Sequence, residues 1–505
     1  MFGWLKNLIA KPRTHAADIE SVRERLRMHV KKITAKYDNA QLAGPNQKHF
    51  LEADTLSARA ANSPDVRRRL RSFARYECAN NSYANGIILT IANELIGRGP
   101  RLQMHLPDSR EANRRIEKAF SSWQAASGLN DQLHTMAQAV ARDGEACAVM
   151  IHNQGINDRV RTGIRLIEAE QLCAPWSASY KDALSDGIRF DRFGNPVAYN
   201  ILRHHPGDYG SWDTDKSDTI SAEFFLHWFR EDRPGQVRGV PWITPCLGLF
   251  AQLRRWTLAV LQSAETAASF SAILKTSGTP ETTAQADPWD EVQINMGAFT
   301  TLPEGWALEQ LKAEQPISTY HMFKNELLKE IARCLNMPAN VIMGDSSLMN
   351  YASGRLDFQA WHRMVKVIRS TFERNILERI FSMWLREASL IRNYLPAMDA
   401  SNVPHGWFYD AVPHVDPVKD GTGDQMALAN CSDTLANICA AQGNDWRDVV
   451  DQRGEEVAYM REKGLDIYLP DFTMNVQKEI AESNDAPTNQ NARAEYMRNL
   501  IGGRN

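Results

Sequence analysis

The sequence predicts an α+β chain in which helices dominate, and three observations carry that prediction. Apolar residues recur at helical spacing in several long stretches, among them Tyr76, Tyr83, Ile87, Ile91 and Leu95, and Trp361, Val365, Ile368, Phe372, Ile376, Ile380 and Trp384. Between residues 146 and 229 the pattern changes to short apolar runs parted by turn residues, as strands require. A third block, 271–318, breaks around Ser277-Gly278-Thr279-Pro280, Asp287-Pro288 and Pro303-Glu304-Gly305, so a small strand-rich excursion separates two helical stretches.

In chain order, residues 1–60 are polar and locally basic, with Arg23, Arg25, Arg27, Lys31, Lys32 and Lys36 close together; they predict a solvated arm. One helix is expected over 64–98, ended by Gly97 and Gly99-Pro100, a second over 110–126 and a third over 130–143. Strands follow at 146–152, 164–170, 187–191, 197–203 and 224–229, the third and fourth joined by the turn Phe193-Gly194-Asn195-Pro196. Residues 61–242 thus form a mixed domain. After Pro245 a long helix carries Leu247, Phe250, Leu253, Val260, Leu261, Ala264 and Ala268 on one face. Another, over 319–337, places Tyr320, Phe323, Leu327, Ile331 and Cys334 together, and Pro338 ends it. A Gly/Ser/Asn loop leads to a very long helix over about 355–392. Its apolar stripe is expected to exceed what one subunit buries, and its Arg363, Arg369, Arg374 and Arg379 are expected to meet carboxylates across a subunit interface. Residues 393–416 are irregular, two helices are expected near 421–441 and 445–463, and the polar tail 466–505 predicts poor order.

Composition narrows the function. The 505 residues are 43% apolar and 24% charged, which is globular material, and the net charge of −3 speaks against tight nucleic-acid binding, since holding phosphate needs a basic excess. Such a balance still suits a surface past which DNA slides. The seven cysteines are odd in number and form no Cys-x-x-Cys, so reduced thiols are expected. The N-terminus has no basic start followed by an apolar stretch, and no apolar window approaches a membrane span, so neither a signal peptide nor a membrane is expected.

Catalytic patterns are absent. There is no Gly-x-x-x-x-Gly-Lys-Ser/Thr, no His-Glu-x-x-His and no Gly-x-Ser-x-Gly. The acidic loop from Asp208 to Asp218 lacks the glycine and glutamate of a calcium loop; Phe224 stands where the glutamate would be. His204 and His205 are adjacent and on a strand would face opposite ways. No catalytic residue, cofactor or metal is therefore expected. A competing reading is a metal-dependent nuclease or phosphodiesterase using His204, His205, Asp208 and His414.

The most specific signal is a series of segments in order. These are Gly187-Ile188-Arg189-Phe190-Asp191 with Gly194-Asn195-Pro196-Val197-Ala198-Tyr199; Glu231-Asp232-Arg233-Pro234-Gly235-Gln236-Val237-Arg238-Gly239-Val240-Pro241-Trp242; Leu335-Asn336-Met337-Pro338-Ala339-Asn340-Val341-Ile342-Met343-Gly344-Asp345 followed by Asn350-Tyr351-Ala352-Ser353-Gly354-Arg355; and His414-Val415-Asp416-Pro417-Val418-Lys419-Asp420. Over roughly residues 40–465 the chain resembles the lambda family of tailed-bacteriophage portal proteins. It departs at Ala352, where the family often has a second serine, and at Gly354, where it has a bulkier residue.

The resemblance implies a portal-protein fold and a division of labour. Residues 1–60 would be the arm and 61–242 the wing. Residues 243–270 and 319–337 would be the two stem helices, and 271–318 the clip. Residues 338–354 would be the tunnel loop, 355–416 the long helix and wing return, 417–465 the crown and 466–505 the tail. It implies a ring, usually of twelve identical subunits, through which double-stranded DNA passes transiently and without sequence specificity. Its partners would be the terminase large subunit, head-completion and adaptor proteins, and the major capsid and scaffold proteins. The place of work would be the virion's portal vertex, after assembly in the bacterial cytoplasm. A particle protein without a channel, such as a head–tail adaptor, is the remaining competitor.

Within this frame Ser346, Ser347, Leu348, Met349, Asn350 and Tyr351 are the candidates to touch DNA, because hydroxyl and amide groups make short-lived phosphate bonds without locking the duplex in place. Lys324, Lys329 and Arg333 are candidates to face the channel. Trp289, Phe299 and Trp306 are candidate partner anchors on the clip, although Trp306 also suits its small core.

Overall fold

The run Asn80-Asn81-Ser82 divides what the apolar spacing suggests is one helix over 64–98. In the computed structural model a short helix α1, Ala58–Ala61, is followed by α2, Pro64–Asn80, and then by a separate α3, Ser82–Ile96. Asn81 lies between them in extended conformation, and its side-chain oxygen accepts from the amides of Tyr83 and Ala84. A short amide side chain competes with the helical ladder and satisfies the orphan donors of the next helix, so it divides where hydrophobic spacing alone would continue. Ile87, Ile91 and Leu95 are buried as their spacing requires, while Tyr76 is exposed.

The structure describes residues 53–107, 110–174, 186–208, 216–268, 272–276, 306–310, 317–347, 350–396, 403–410 and 417–464. Most of the arm and the tail expected at 466–505 lie outside them. The chain divides into two compact units, one formed by Met1–Arg69 with Glu231–Gly239, the other by Leu70–Arg230 with Val240–Asn505. In the first unit Arg233-Pro234-Gly235-Gln236 forms a turn closed by the Gln236 amide on the Arg233 carbonyl at 3.1 Å, with Gly235 at φ +79. Proline followed by a glycine at positive φ is what such a turn demands. The side chains of Asn62 and Gln236 both donate to the Arg238 carbonyl, each at 2.9 Å.

The second unit holds the main core. Strand β1, Arg101–Met104, precedes helices α4, Arg110–Ser127, and α5, Leu129–Asp143. Then come β2, Glu145–His152, β3, Thr162–Ile167, β4, Ile188–Phe190, β5, Pro196–Leu202, β6, Ser217–Ser221, and β7, Phe225–Phe229. They make two antiparallel three-stranded sheets, in the orders β3-β2-β7 and β4-β5-β6. The central strand β2 is covered on both faces. Ala146, Ala148 and Met150 join the helical core, while Cys147 and Val149 join a smaller cluster with Leu172, Ile188, Tyr199, Ile201 and Phe225. The period-two alternation of a strand sorts its side chains in this way.

Helix α6, Leu247–Ala268, leaves this core, and the strands β8, Ala272–Thr276, and β9, Trp306–Gln310, pair antiparallel. Helix α7, Ile317–Cys334, then returns, and is followed by a one-turn helix α8, Ala339–Met343. The long helix begins earlier than its apolar stripe suggests. It comprises α9, Tyr351–Phe372, a π-turn over Glu373–Leu377, and α10, Glu378–Leu390. Strand β10, His405–Phe408, pairs back onto β1. The region near 421–441 is two helices, α11, Pro417–Ala429, and α12, Leu435–Ala441, before α13, Trp446–Glu462. Cys431 at φ +54 and the Thr434 cap explain the break.

Two expectations for the long helix are corrected. Its stripe does not need a neighbour: Trp361, Val365, Phe372, Ile376, Ile380 and Trp384 are buried within this chain. Trp384 and Phe381 pack edge-on to Phe120, and Phe372 lies 4.9 Å from Trp228. Nor do all four arginines await a partner. Arg369 donates to the carbonyls of Glu94 and Leu95 and stacks on Tyr409 at 4.1 Å, and Arg379 donates to the carbonyls of Ala222, Glu223 and Phe225. Burial pushes the pKa of both guanidinium groups down. Arg363 and Arg374 are exposed. Among the described residues, no helix is long and apolar enough to cross a membrane.

Candidate functional site

The helix pair α6 and α7 changes character along its length. At the core end Cys246, Phe250 and Leu253 of one strand of chain, and Leu327, Leu328, Ile331 and Ala332 of the other, are buried. Farther along, Leu258 is 59% and Leu261 54% exposed on α6, and Met322 and Phe323 are exposed on α7. Trp256 and Phe323 hold the helices together at 5.1 Å, with the Thr257 and Tyr320 hydroxyls at 3.4 Å. An amphipathic helix pair normally hides its apolar stripe; here part of the stripe is left in solvent within the single chain.

The three basic candidates on α7 differ in surroundings. Lys324 is half-buried, its ammonium 5.1 Å from the Tyr83 ring and 5.7 Å from that of Tyr320, so it is held within the subunit. Lys329 is exposed and pairs with Glu326 at 2.6 Å, one helical turn away. Arg333 is exposed and donates to Asn336 at 2.9 Å. Glu326, Lys329, Glu330 and Arg333 all lie on the exposed face of α7, where their charges balance.

The connection after α7 is defined by backbone chemistry. Asn336 at φ +52 ends the helix, Pro338 starts α8 and Gly344 at φ +63 stops it, its amide bonded to the Asn340 carbonyl. The left-handed conformation at a helix C-terminus favours glycine there. Asp345 accepts from the Ser347 amide at 2.9 Å, and the Ser347 amide and hydroxyl hold its carboxyl below the usual carboxylate range. Asn350 caps α9 by accepting from the Ser353 amide at 2.8 Å. Thus Ser346 and Ser347 are exposed in a connection between two capped helices, Asn350 is its last residue and Tyr351 the first of α9. Leu348 and Met349 lie outside the described residues, as do Trp289 and Phe299; Trp306 opens β9, its backbone paired with Thr276.

The histidines suggested for a nuclease are separated in role. His205 faces Glu168 at 3.3 Å and Glu170 at 3.8 Å. Its Nδ1 accepts from the Gly207 amide at 3.0 Å, which leaves the proton on Nε2, the nitrogen facing the carboxylates. Arg75 already pairs with Glu168, Glu170 and Asp143, at 3.3, 3.1 and 2.8 Å. The group is an ion-pair network binding α2 to the start of the sheet region. Asp208 accepts from the His205 amide, and His414 lies outside the described residues.

Two charged features escaped the sequence reading. One is a buried pair in which Arg71 meets Glu145, itself 3.0 Å from His227. The other is a basic cavity lined by Arg115, Lys118, Arg159 and Arg161. Each draws on positions far apart in the chain, so no local motif could reveal it.

Residues 45–369 match the family model described as phage portal protein, lambda family. A probable portal protein of Halomonas phage phiHAP-1 is 22% identical over 431 residues, covering 78% of this chain and 81% of that protein. Among solved structures, the neck of an empty gene-transfer-agent particle computed with C6 symmetry is similar at TM-score 0.45 and 14% identity, over 74% of this chain and 93% of its own. The neck of a native gene-transfer-agent particle computed with C12 symmetry is similar at TM-score 0.45 and 13% identity, over 76% and 94%. Since that family model covers more than half of its residues, the chain belongs to the lambda family of phage portal proteins.

Proposed function

We propose that copies of this chain, twelve in number, close head-to-tail into a ring at one vertex of a virion, and that double-stranded DNA is packaged and ejected through its centre. The observation that carries the ring is the apolar surface left open on the helix pair at Leu258, Leu261, Met322 and Phe323, inside the span matching the portal family. A heterologous contact repeated about an axis covers such a stripe on every subunit. The balanced charge on the exposed face of α7 supports a conduit: paired Lys329 and Glu326 release few counterions to DNA, so the duplex is not retained.

In this reading α6 and α7 are the stem, 271–318 the clip, 338–354 the tunnel loop and 417–465 the crown. The clip docks the terminase large subunit during packaging and head-completion or adaptor proteins afterwards, and the wing meets capsid and scaffold proteins. The role is structural rather than enzymatic. Deleting 276–297 tests the clip: rings should persist while terminase binding is lost. Unaffected terminase binding would remove the assignment.

A further inference from the structure

A cavity of about 720 Å³ opens between α4, the loop before β3 and the segment that follows α10. Four cationic side chains line it: Arg115 and Lys118 from α4, and Arg159 and Arg161 from the loop. The three arginines are positioned without being neutralised. Arg115 donates to the carbonyls of Asn393 and Tyr394, and Arg161 to that of Gln154 at 3.0 Å. Arg159 lies 5.7 Å over the Tyr394 ring. Among the described residues none of the four pairs with a carboxylate side chain. Backbone carbonyls fix a guanidinium group but leave its full charge available to a ligand.

The one carboxylate in the lining is occupied. Asp158 accepts from the Val160 amide at 3.0 Å, the Tyr394 hydroxyl at 3.1 Å and the Ser122 hydroxyl at 3.4 Å. Burial first, then the Asp158 charge and hydrogen bond, push the Tyr394 hydroxyl up to about 12, so it stays a donor to Asp158. Glu387, nearby, spends both oxygens on the backbone of Arg161 and Thr162. The cavity therefore keeps an excess of positive charge in a chain whose net charge is −3.

We infer that this cavity is a docking site for an acidic protein segment, and it stands independently of the ring and channel reading. Convergent guanidinium forks suit carboxylates, which they bind in bidentate fashion. An extended peptide can set two acidic side chains into one cavity and use Asn157 and Asn393 beside them for its backbone. DNA presents phosphates in a line along a rod and is held by a stripe of cations rather than by four that meet at one concavity.

The test uses assembled, full-length protein with two labelled probes, an oligoglutamate peptide and a DNA duplex, read by fluorescence anisotropy at rising salt. The parent should bind the peptide, and more weakly as salt rises. The double variant Lys118→Glu/Arg159→Glu should lose about tenfold or more in affinity, while Lys118→Arg retains it. Both side chains are exposed, so thermal melting of the double variant should match the parent; if it does not, Lys118→Gln/Arg159→Gln replaces it and should show the same loss in smaller measure. Peptide binding that is absent in the parent, or unchanged in the variants, would overturn the inference. So would a duplex bound more tightly than the peptide and released by the same variants, which would give the cavity to nucleic acid.

Discussion

Replacing Leu258 and Leu261 by serine separates assembly from folding. Both side chains are more than half exposed in the single subunit, at 59% and 54%, so the change leaves most of the isolated fold's packing in place. Subunit stability should fall by about 1–3 kcal/mol, the share of leucine burial that the chain itself already covers, and the subunit should stay folded. Full burial of a leucine contributes about 1.5–3 kcal/mol, and roughly half of that surface is still available on each residue. Covering both in a neighbour's contact therefore contributes about 1.5–3 kcal/mol. Its loss weakens each contact by about 10–150-fold. Mass photometry over a dilution series should show the double variant falling from rings to small species at concentrations where the parent stays assembled. Circular dichroism should show native helix content in both. Rings of unchanged stability on dilution would refute the claim that this stripe is a subunit contact. A variant that unfolds would refute the claim that the stripe is dispensable within the chain.

Other perturbations probe the fold and the connection. Arg71→Met strands Glu145 in the core with only part of its charge compensated, and should cost about 3 kcal/mol, lowering the melting temperature by several degrees; an unchanged melt would show the pair to be neutral. At His405, burial opposes the charge, but bonds to Glu378 and to the Val403 carbonyl outweigh it and raise the pKa, while the bond from His405 lowers that of Glu378. A raised histidine stabilises below its ordinary pKa and loses that contribution as pH rises through the raised value; a lowered glutamate stabilises above its ordinary pKa and loses it as pH falls. The pair should therefore contribute most between the ordinary glutamate and histidine ranges, and stability should decline as pH rises from the ordinary histidine pKa through the raised one, more in the parent than in His405→Gln. Equal pH profiles would contradict this. Deleting 346–351 should leave ring assembly and terminase docking intact but yield particles that package incompletely or lose DNA; full, stable genomes would reduce the segment to a simple connection.

Much of the fold was legible because burial follows period. Ile87, Ile91 and Leu95 on α3, and Trp361, Val365, Phe372, Ile376, Ile380 and Trp384 of the long helix, were placed by spacing alone and are buried. Strands β2 to β5 and β7 were legible from short apolar runs and from the Phe193-Gly194-Asn195-Pro196 turn, but β6, Ser217–Ser221, was not, because Ile220 is its one apolar residue. Boundaries set by side chain–backbone bonds were not. Asn81 and Thr434 cap helices that hydrophobic spacing joins to their predecessors, and Asn350 starts the long helix ahead of its first apolar residue. The destination of the arginines was hidden too, since a guanidinium bonded to carbonyls more than a hundred residues away, as Arg379 is, leaves no local pattern. For the candidate site, sequence order identified the helix pair and its connection. It could not say that Lys324 rests on aromatic rings within the subunit while Lys329 and Arg333 stay exposed, because Tyr83 is brought there only by packing.

The central claim is a closed ring with a hole. Negative-stain imaging of the purified full-length protein, with its mass measured in the same buffer across ionic strengths, tests it most directly. The account predicts annular particles with a central channel and a mass about twelve times the 57.0 kDa of the chain. Monomers or dimers at every ionic strength, or closed particles without a hole, would contradict it.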